Sequence, residues 1–433
     1  MSATYVYINN RSALHALKKA VMDDYRQSLT YLATMRTVRS VAAGIIYVVF
    51  TYLAKEVLHI SMFELGIIYA TAGAATAALS VVVGYMTDLI GRKASLYISS
   101  ALLVLTPLVL LVHLSLATAF AAAILGGISA TGAMGAGGVG GVVGPVQNTI
   151  IADLTKDLGR TRVLSLLSFI GSLAAAGGAL LGGYFSYWDE LVMATVIAAA
   201  AMLLIPPMKL PDVRARGLSM RSASNALKFS MTGLMNGLTN GLTTPFILPI
   251  FAYIYHAPRA LASDVVAAAS LVATFSMLAA PELERRMGFL RSITVTRALT
   301  IPIMLAFPFA GSFWVAAALY LLYPMLRVIA IPVQQSFLLE LTPPEERGRV
   351  SSLNQGSRLL FSSVGTYAAS PFFDVSEAGS VASEAGPVPM YAVPFFLYAV
   401  LMAANIYMYW RFFARDEARL AARRQGLAPA LEG

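Results

Sequence analysis

Cysteine is absent from this 433-residue chain, and charged residues are scarce at 12%. Without cysteine there is no disulfide, thiolate zinc site, iron–sulfur cluster or cysteine nucleophile. A soluble domain carries about 25% charged residues, so half of the expected charge is missing. Residues of the set AVILMFWYC make up 58%, and the mean hydropathy is +0.71. This composition excludes an ordinary soluble enzyme and indicates a membrane protein.

Long apolar runs take the place of the missing charge. A transmembrane helix needs about 20 mostly apolar residues, and twelve runs approach or exceed that length. They cover residues 33–54, 62–84, 94–114, 117–152, 163–187, 190–208, 228–254, 262–281, 293–311, 313–339, 350–372 and 388–412. We therefore predict an all-α membrane protein with twelve transmembrane helices in two pseudo-symmetric six-helix halves. The run at 117–152 exceeds one span, so we expect its helix to continue beyond the bilayer.

The polar segments around these runs divide the chain. We predict an amphipathic N-terminal segment on the membrane surface, a first half, a cytoplasmic linker rich in Pro, Arg and Ser, a second half, and a cytoplasmic tail. Their predicted bounds are 1–32, 33–208, 209–227, 228–412 and 413–433.

Positive charge orients the predicted helices. With the N-terminus inside, 26 of the 31 Lys and Arg residues fall on the inner side or in the tails, and only Lys55 and Arg259 fall outside. Basic residues are retained on the cytoplasmic side of membrane proteins. We therefore predict a multi-pass protein of the plasma membrane with both termini in the cytoplasm.

The ends of the fourth and tenth runs repeat one another. PVQNTIIADLTKDLGRTRVLSLL begins at Pro145, PVQQSFLLELTPPEERGRVSSLN begins at Pro332, and ten of the 23 positions are identical. At one further position of the repeat, Asp153 corresponds to Glu340, so both segments carry an acidic residue there. A repeat at equivalent places predicts two parallel-related halves packed around a central cavity.

The connection after the second run reads GYMTDLIGRK, residues 84–93. It resembles the loop signature of the major facilitator superfamily, with Leu89 where that family has a base; the second half holds a degraded copy, PELERRMGFLR, out of strict register. The resemblance implies the family's two-half fold and transport by alternating access. It also implies a cytoplasmic gate, for which we expect Gly84, Asp88, Gly91, Arg92, Lys93, Asp153, Arg162, Glu340 and Arg349. A cluster that serves only topology and packing is the alternative.

The fifth run, GSLAAAGGALLGGYF, resembles the antiporter motif of the same family, although Ala179 stands where that motif has proline. Small residues at this spacing also let helices pack closely. The motif therefore adds little support to the hypothesis that the chain is an exporter.

Arginines inside predicted spans indicate function, because a charge in the bilayer is costly. Arg327 lies near mid-depth in the tenth run, and Arg358 lies about nine residues into the eleventh. We predict that both line a substrate cavity; the alternative is that each caps a helix break or bonds a neighbouring side chain. Arg297 lies near the cytoplasmic end of the ninth run, where it can extend to the surface.

The seventh run adds a polar face. Asn236, Asn240 and Thr243 recur at helical spacing, beside a stripe of glycines suited to close packing. Cavity lining and interhelical hydrogen bonding both explain the asparagines. Pro245 and Pro249 predict a kink after them.

Carboxylates are missing from the span centres: all 22 Asp and Glu residues fall in loops, tails or run ends. We expect no buried acid in the cavity and therefore an amphipathic or anionic substrate. We predict a secondary active transporter, an exporter or antiporter of such a solute. A facilitator or importer of organic anions without proton coupling is the alternative, and a polytopic lipid-modifying enzyme is a remote one. We expect no cofactor, metal or nucleic acid, a small-molecule substrate and the lipid bilayer as partners, and a monomer.

Overall fold

The computed structural model describes residues 2–128, 142–154, 160–210, 223–343, 347–374 and 389–424. Within these ranges the regular structure is helical and includes no strand, which confirms the all-α prediction. The helices are α1 (Ser2–Glu56), α2 (Met62–Leu89), α3 (Arg92–Val112), α4 (Leu116–Ile124), α5 (Gly144–Leu154), α6 (Arg160–Leu181), α7 (Tyr187–Met202), α8 (Ala223–Thr243), α9 (Arg259–Ser276), α10 (Ala280–Ala306), α11 (Phe313–Glu340), α12 (Arg347–Ala369) and α13 (Val393–Arg424).

Serine begins four helices at the end of the bundle that is predicted to be external. The hydroxyls of Ser61, Ser115, Ser186 and Ser312 precede α2, α4, α7 and α11. Each accepts a hydrogen bond from the amide three residues later, at 3.2, 3.2, 3.1 and 3.4 Å. First-turn amides have no partner within a helix, so these caps set where the helices start.

α1 is continuous from Ser2 to Glu56, so one helix includes most of the predicted N-terminal segment and the first run; the surface position of that segment stays a prediction. One feature differs from the prediction. The helix predicted over 117–152 ends at Ile124, and the chain turns at Gly126, whose φ is 78°. Glycine adopts this left-handed conformation without steric cost, which explains why the helix ends there.

Six stretches of the described chain are long and apolar enough to cross a membrane, by length and composition. They are Asp24–Glu56, Met62–Val83, Arg92–Val112, Arg259–Phe309, Phe313–Glu340 and Met390–Leu420. α8 and α12 are not among them: glycine, serine and asparagine replace apolar residues along both, and α12 also carries arginines. The twelve-span layout stays a prediction.

Helix packing is repeated between the two predicted halves. α1 packs on α6 and α7, and α3 packs on α7; correspondingly, α8 packs on α12 and α13, and α10 packs on α13. Two further pairs, α2 with α12 and α6 with α9, join helices of the first set to helices of the second.

Close helix approach follows the glycines. A Cβ at Gly233, Gly237 or Gly241 of α8 would lie under 3.0 Å from an atom of α12. Gly178 of α6 approaches the backbone of α1 as closely, whereas a Cβ on the adjacent Gly177 would meet nothing within 4 Å. Glycine alone fits the first four positions without a shift, which confirms the packing role predicted for the small residues.

Candidate functional site

The regular helix of α8 ends at Thr243 and continues through 3-10, α-helical and π-helical turns over residues 244–254. Pro245 and Pro249 have no backbone N–H, so neither can continue the α-helical hydrogen-bond ladder. The kink predicted at these prolines is confirmed. The hydroxyl of Thr244 lies at the start of this break and contacts α11.

Arg327 of α11 is held at the break. Its Nη1 donates to Thr244 Oγ1 at 3.2 Å, and the same hydroxyl lies 3.1 Å from the Tyr323 hydroxyl. The guanidinium carbon lies 5.9 Å from the centroid of the Tyr323 ring, within range of a cation–π interaction. Thr244 and Tyr323 are buried, while Arg327 is partly exposed. The charge therefore lies at the edge of a buried polar network.

The asparagines of α8 extend this network. Asn240 Nδ2 donates to Asn236 Oδ1 at 3.1 Å, and Asn240 Oδ1 accepts from the Tyr323 hydroxyl at 3.4 Å. Asn240 is buried and Asn236 is partly exposed. Thr243, predicted to share this face, is fully buried, and its hydroxyl has no hydrogen-bond partner among the described residues. The contact with Arg327 is made by its neighbour Thr244 instead.

A second arginine, Arg358 of α12, approaches the same region. Its Nη2 donates to Gln355 Oε1 at 3.3 Å, and its charge is repelled by that of Arg327. In the described part of the chain, neither arginine has a carboxylate within ion-pair distance. Buried and half-buried charges are normally paired, so the two cations favour an anionic occupant.

Tyrosines lie behind these polar groups. Tyr320, Tyr323 and Tyr398 are fully buried. The rings of Tyr323 and Tyr398 meet edge to face with centroids 6.1 Å apart, and the Tyr398 hydroxyl lies 2.8 Å from Thr300 Oγ1. Such side chains offer apolar surface together with a hydrogen-bonding group, which suits an amphipathic solute.

Arg297 does not extend to the membrane surface, so that prediction is wrong. The residue is 5% exposed, its Nη2 donates to Gln334 Oε1 at 2.8 Å, and its Nη1 donates to Asn405 Oδ1. Its guanidinium carbon lies 4.5 Å from the centroid of the Tyr409 ring. The charge stays inside because protein groups of the second half satisfy it there.

Two further buried arginines were missed by the charge count, which assigns them to the cytoplasmic tail. Arg36 and Arg39 are 5% and 3% exposed. Arg36 Nη2 donates to Ser168 Oγ at 3.4 Å, and Arg39 Nη2 donates to the Ser99 carbonyl oxygen at 3.3 Å. Their position inside the run 33–54 is the signal that identifies them.

The predicted cytoplasmic gate is only partly described. Arg92 is buried, Gly91 has a φ of 89°, and Lys93 Nζ donates to the Pro206 carbonyl oxygen at 3.1 Å. Glu340 is exposed. The side-chain surroundings of the remaining gate residues lie outside what the structure describes: Gly84, Asp88, Asp153, Arg162 and Arg349. The pairs Arg92–Asp153 and Glu340–Arg349 stay predictions.

An ion pair joins the two predicted halves at the predicted external end. Arg259, at the start of α9, donates from Nη1 to Glu190 Oε2 at 2.9 Å and from Nη2 to the Phe185 carbonyl oxygen. Its guanidinium carbon lies 4.2 Å from the centroid of the Tyr187 ring. We call Arg259, Glu190, Phe185 and Tyr187 the external latch. Glu190 is fully buried, a carboxylate burial that the sequence did not predict.

Further hydrogen bonds across the halves surround the external latch. The Tyr52 hydroxyl donates to the Ala257 carbonyl oxygen at 3.0 Å, and Lys55 Nζ donates to that of Ala252. The Tyr253 hydroxyl donates back to the Ile60 carbonyl oxygen at 2.9 Å. These bonds close the bundle at this end.

The contact between α2 and α12 loosens toward the opposite end. A Cβ at Gly66 would lie under 3.0 Å from the Ser370 side chain, whereas a Cβ at Gly356 would find its nearest atom, of Val81, at 3.9 Å. The chain at the end of α12 therefore fits α2 more closely than the chain around Gly356 does.

Comparison with known proteins agrees with this architecture. A family model described as Major Facilitator Superfamily matches residues 32–366. A solved D-xylose–proton symporter is 14% identical, with 90% of this chain and 98% of that chain covered at a TM-score of 0.68. The nucleoside transporter NupG is 13% identical, with 89% and 100% covered at 0.66. The human organic anion transporter MFSD10 is 16% identical, with 89% and 99% covered at 0.59. No curated protein sequence matches this chain.

Proposed function

The chain belongs to the major facilitator superfamily, and from this premise we propose that it exchanges organic anions across the plasma membrane by alternating access. A member of this family is a membrane transporter and not an enzyme, which removes the lipid-modifying alternative. The anionic substrate and the exchange mode are the parts of the proposal that go beyond membership of the family.

The pair Arg327 and Arg358 carries the proposal. Both are partly exposed, they repel one another, and no described carboxylate neutralises either of them. An organic anion between them would accept charge-assisted hydrogen bonds, which are about twice as strong as neutral ones. Its apolar part would contact the tyrosines behind the site, and Asn236 and Asn240 would contribute neutral hydrogen bonds.

The same pair supports exchange over proton coupling. No histidine or carboxylate among the described residues contacts either arginine, so the site offers no acid–base group whose protonation would compete with the substrate. An empty site would leave two like charges half-buried during the conformational change, at high electrostatic cost. A loaded site avoids this cost. The conformational change should therefore take place in both directions with an anion bound.

The helix packing supports alternating access. We propose that the predicted halves, 33–208 and 228–412, move against each other, because their internal packing is repeated while fewer helix pairs join them. Hydrogen bonds across the halves cluster at the external latch, which supports a state that is closed at the predicted external side. One solved structure with this fold is an organic anion transporter. This supports an organic anion as the substrate.

Counterflow in liposomes tests the proposal. The purified protein would be reconstituted into vesicles loaded with benzoate. The entry of two external organic anions, radiolabelled benzoate and carboxyfluorescein, would then be measured. We expect internal benzoate to accelerate entry at least tenfold, and Arg327→Gln to reduce this acceleration strongly at benzoate concentrations below the KM. The exposed Arg291→Gln is the matched control and should keep it.

Three outcomes would overturn parts of the proposal. Entry that is independent of internal anion favours the facilitator alternative, and entry driven by a pH gradient would show proton coupling. Transport that Arg327→Gln leaves unchanged would remove the arginine pair from the site.

A further inference from the structure

The start of α3 and the break at Gly288 within α10 are structurally equivalent. Gly91 precedes α3 with a φ angle of 89°, and Gly288 interrupts α10 with a φ angle of 79°. One turn later, Ser95 Oγ donates to the Gly91 carbonyl oxygen at 3.1 Å, and Ser292 Oγ donates to that of Gly288 at 2.5 Å. The sequences also share Ala-Leu at 101–102 and 298–299.

This equivalence pairs individual residues. Counted from the two glycines, Ser100 of α3 takes the place of Arg297 of α10. The repeated Pro-Val-Gln likewise pairs Gln147 of α5 with Gln334 of α11. In the second half, Arg297 donates to Gln334 at 2.8 Å, so both side chains are satisfied.

The first half lacks that arginine and leaves its partners unsatisfied. Gln147 is fully buried, and neither its amide nitrogen nor its amide oxygen has a hydrogen-bond partner among the described residues. The Ser100 hydroxyl is also buried without a partner there. α3 and α5 pack together, and the equivalence with Arg297 and Gln334 pairs these two side chains across that contact.

A different arginine enters this region from α1. Arg39 is 3% exposed and donates from Nη2 to the carbonyl oxygen of Ser99, the residue before Ser100. Its Nε and Nη1 are buried and have no partner within the described chain. We call Arg39, Ser100 and Gln147 the Arg39 pocket.

The Arg39 pocket requires an acceptor that the described chain does not supply. A buried polar group without a hydrogen bond is destabilising, and a buried cation without a counter-charge is more so. From this geometry we propose that the Arg39 pocket binds a small oxyanion, which accepts from the guanidinium, from the Ser100 hydroxyl and from the Gln147 amide nitrogen. The site is separate from Arg327 and Arg358, and binding there requires no transport.

Thermal unfolding in detergent tests the proposal. Bicarbonate, phosphate and acetate would each be titrated at constant ionic strength against chloride, in an Arg327→Gln/Arg358→Gln background that removes the two cations of the proposed substrate site. A ligand of the native state raises the melting temperature as its concentration rises. We expect at least one oxyanion to do so, and the addition of Arg39→Gln to abolish the rise. A background variant with no oxyanion dependence, or a rise that survives Arg39→Gln, would overturn the proposal.

The variant Ser100→Arg with Arg39→Asn is the second test: Ser100→Arg copies the second-half arginine into the first half, and Arg39→Asn removes the arginine that enters from α1. It should fold without an anion and show no oxyanion dependence, whereas a retained dependence would place the anion elsewhere.

The source of the oxyanion is a separate measurement. If it is the carboxylate of the transported solute, Arg39→Gln should raise the KM for benzoate counterflow about tenfold. If it is a free inorganic anion, counterflow at saturating phosphate should keep its KM while the oxyanion-dependent melting shift is lost. The melting experiment measures binding and not transport, so it would still test the oxyanion site if the proposed exchange proved wrong.

Discussion

Removal of the Arg259 charge should open the external end of the transporter. Glu190 is fully buried and pairs with Arg259 at 2.9 Å, and the Arg259 side chain is only 16% exposed. Removing one partner of a buried ion pair costs about 3–5 kcal/mol, because the remaining charge stays uncompensated. Arg259→Gln therefore destabilises the externally closed state, in which Glu190 is buried, relative to a state in which water reaches that carboxylate. A change of about 3 kcal/mol shifts the equilibrium about 150-fold.

Distances between spin labels would measure this shift. The chain has no cysteine, so labels can be attached to two introduced cysteines without removing a native thiol. Val112→Cys with Phe309→Cys reports the predicted external end, and Leu203→Cys with Leu227→Cys reports the opposite end; all four positions are exposed. Arg259→Gln should lengthen the first distance and shorten the second.

A double variant separates charge from packing. Arg259→Gln with Glu190→Gln leaves no buried charge, so its label distances should return most of the way toward those of the unsubstituted protein. Distance distributions in Arg259→Gln that match the unsubstituted protein at both ends would refute the reasoning, because the ion pair would then contribute equally to every state.

Three other predictions follow from single sites. Arg327→Gln should raise the KM for a transported anion about 10- to 100-fold, since a hydrogen bond to a charged group contributes about 1.5–3 kcal/mol; uptake kinetics with an unaltered KM would contradict the site, and Arg291→Gln is the matched control. Gly178→Ala should lower the melting temperature because its Cβ would meet backbone under 3.0 Å away, whereas Gly177→Ala has open space and should be neutral or stabilising by up to about 1 kcal/mol; equal melting temperatures would be inconsistent with this packing. Arg297→Leu should lower the melting temperature because the amide oxygens of the buried Asn405 and the partly exposed Gln334 lose this donor; an unchanged unfolding midpoint would count against the network.

Helix positions were largely predictable, because apolar runs and caps are local signals. The run 62–84 lies within α2, which starts after Ser61, and the run 313–339 nearly coincides with α11, which starts after Ser312. The long run 117–152 was less informative. Hydropathy alone does not show that a helix ends, and the left-handed Gly126 is one small residue in a small-residue stretch.

Side-chain partners were less predictable, because the apolar pattern does not show which helix faces meet. Arg297 finds its acceptors on α11 and α13, far away along the chain, so its depth in one helix did not indicate its surroundings. Arg327 was identified because mid-span depth alone makes a charge costly. Thr243 and Thr244 are adjacent, and only the break after α8 shows that Thr244 contacts Arg327.

The two bases on the predicted external side connect the charge pattern to the mechanism. Positive charge is retained inside, so an external base opposes the orientation signal and persists more readily where it contributes something else. Both exceptions form hydrogen bonds across the predicted halves: Arg259 with Glu190, and Lys55 with the Ala252 carbonyl oxygen. A cation can hold two halves together only where it has an acceptor on the other half, and Glu190 supplies a fully buried one. The departures from the topology rule therefore coincide with the contacts that must break before the external end can open.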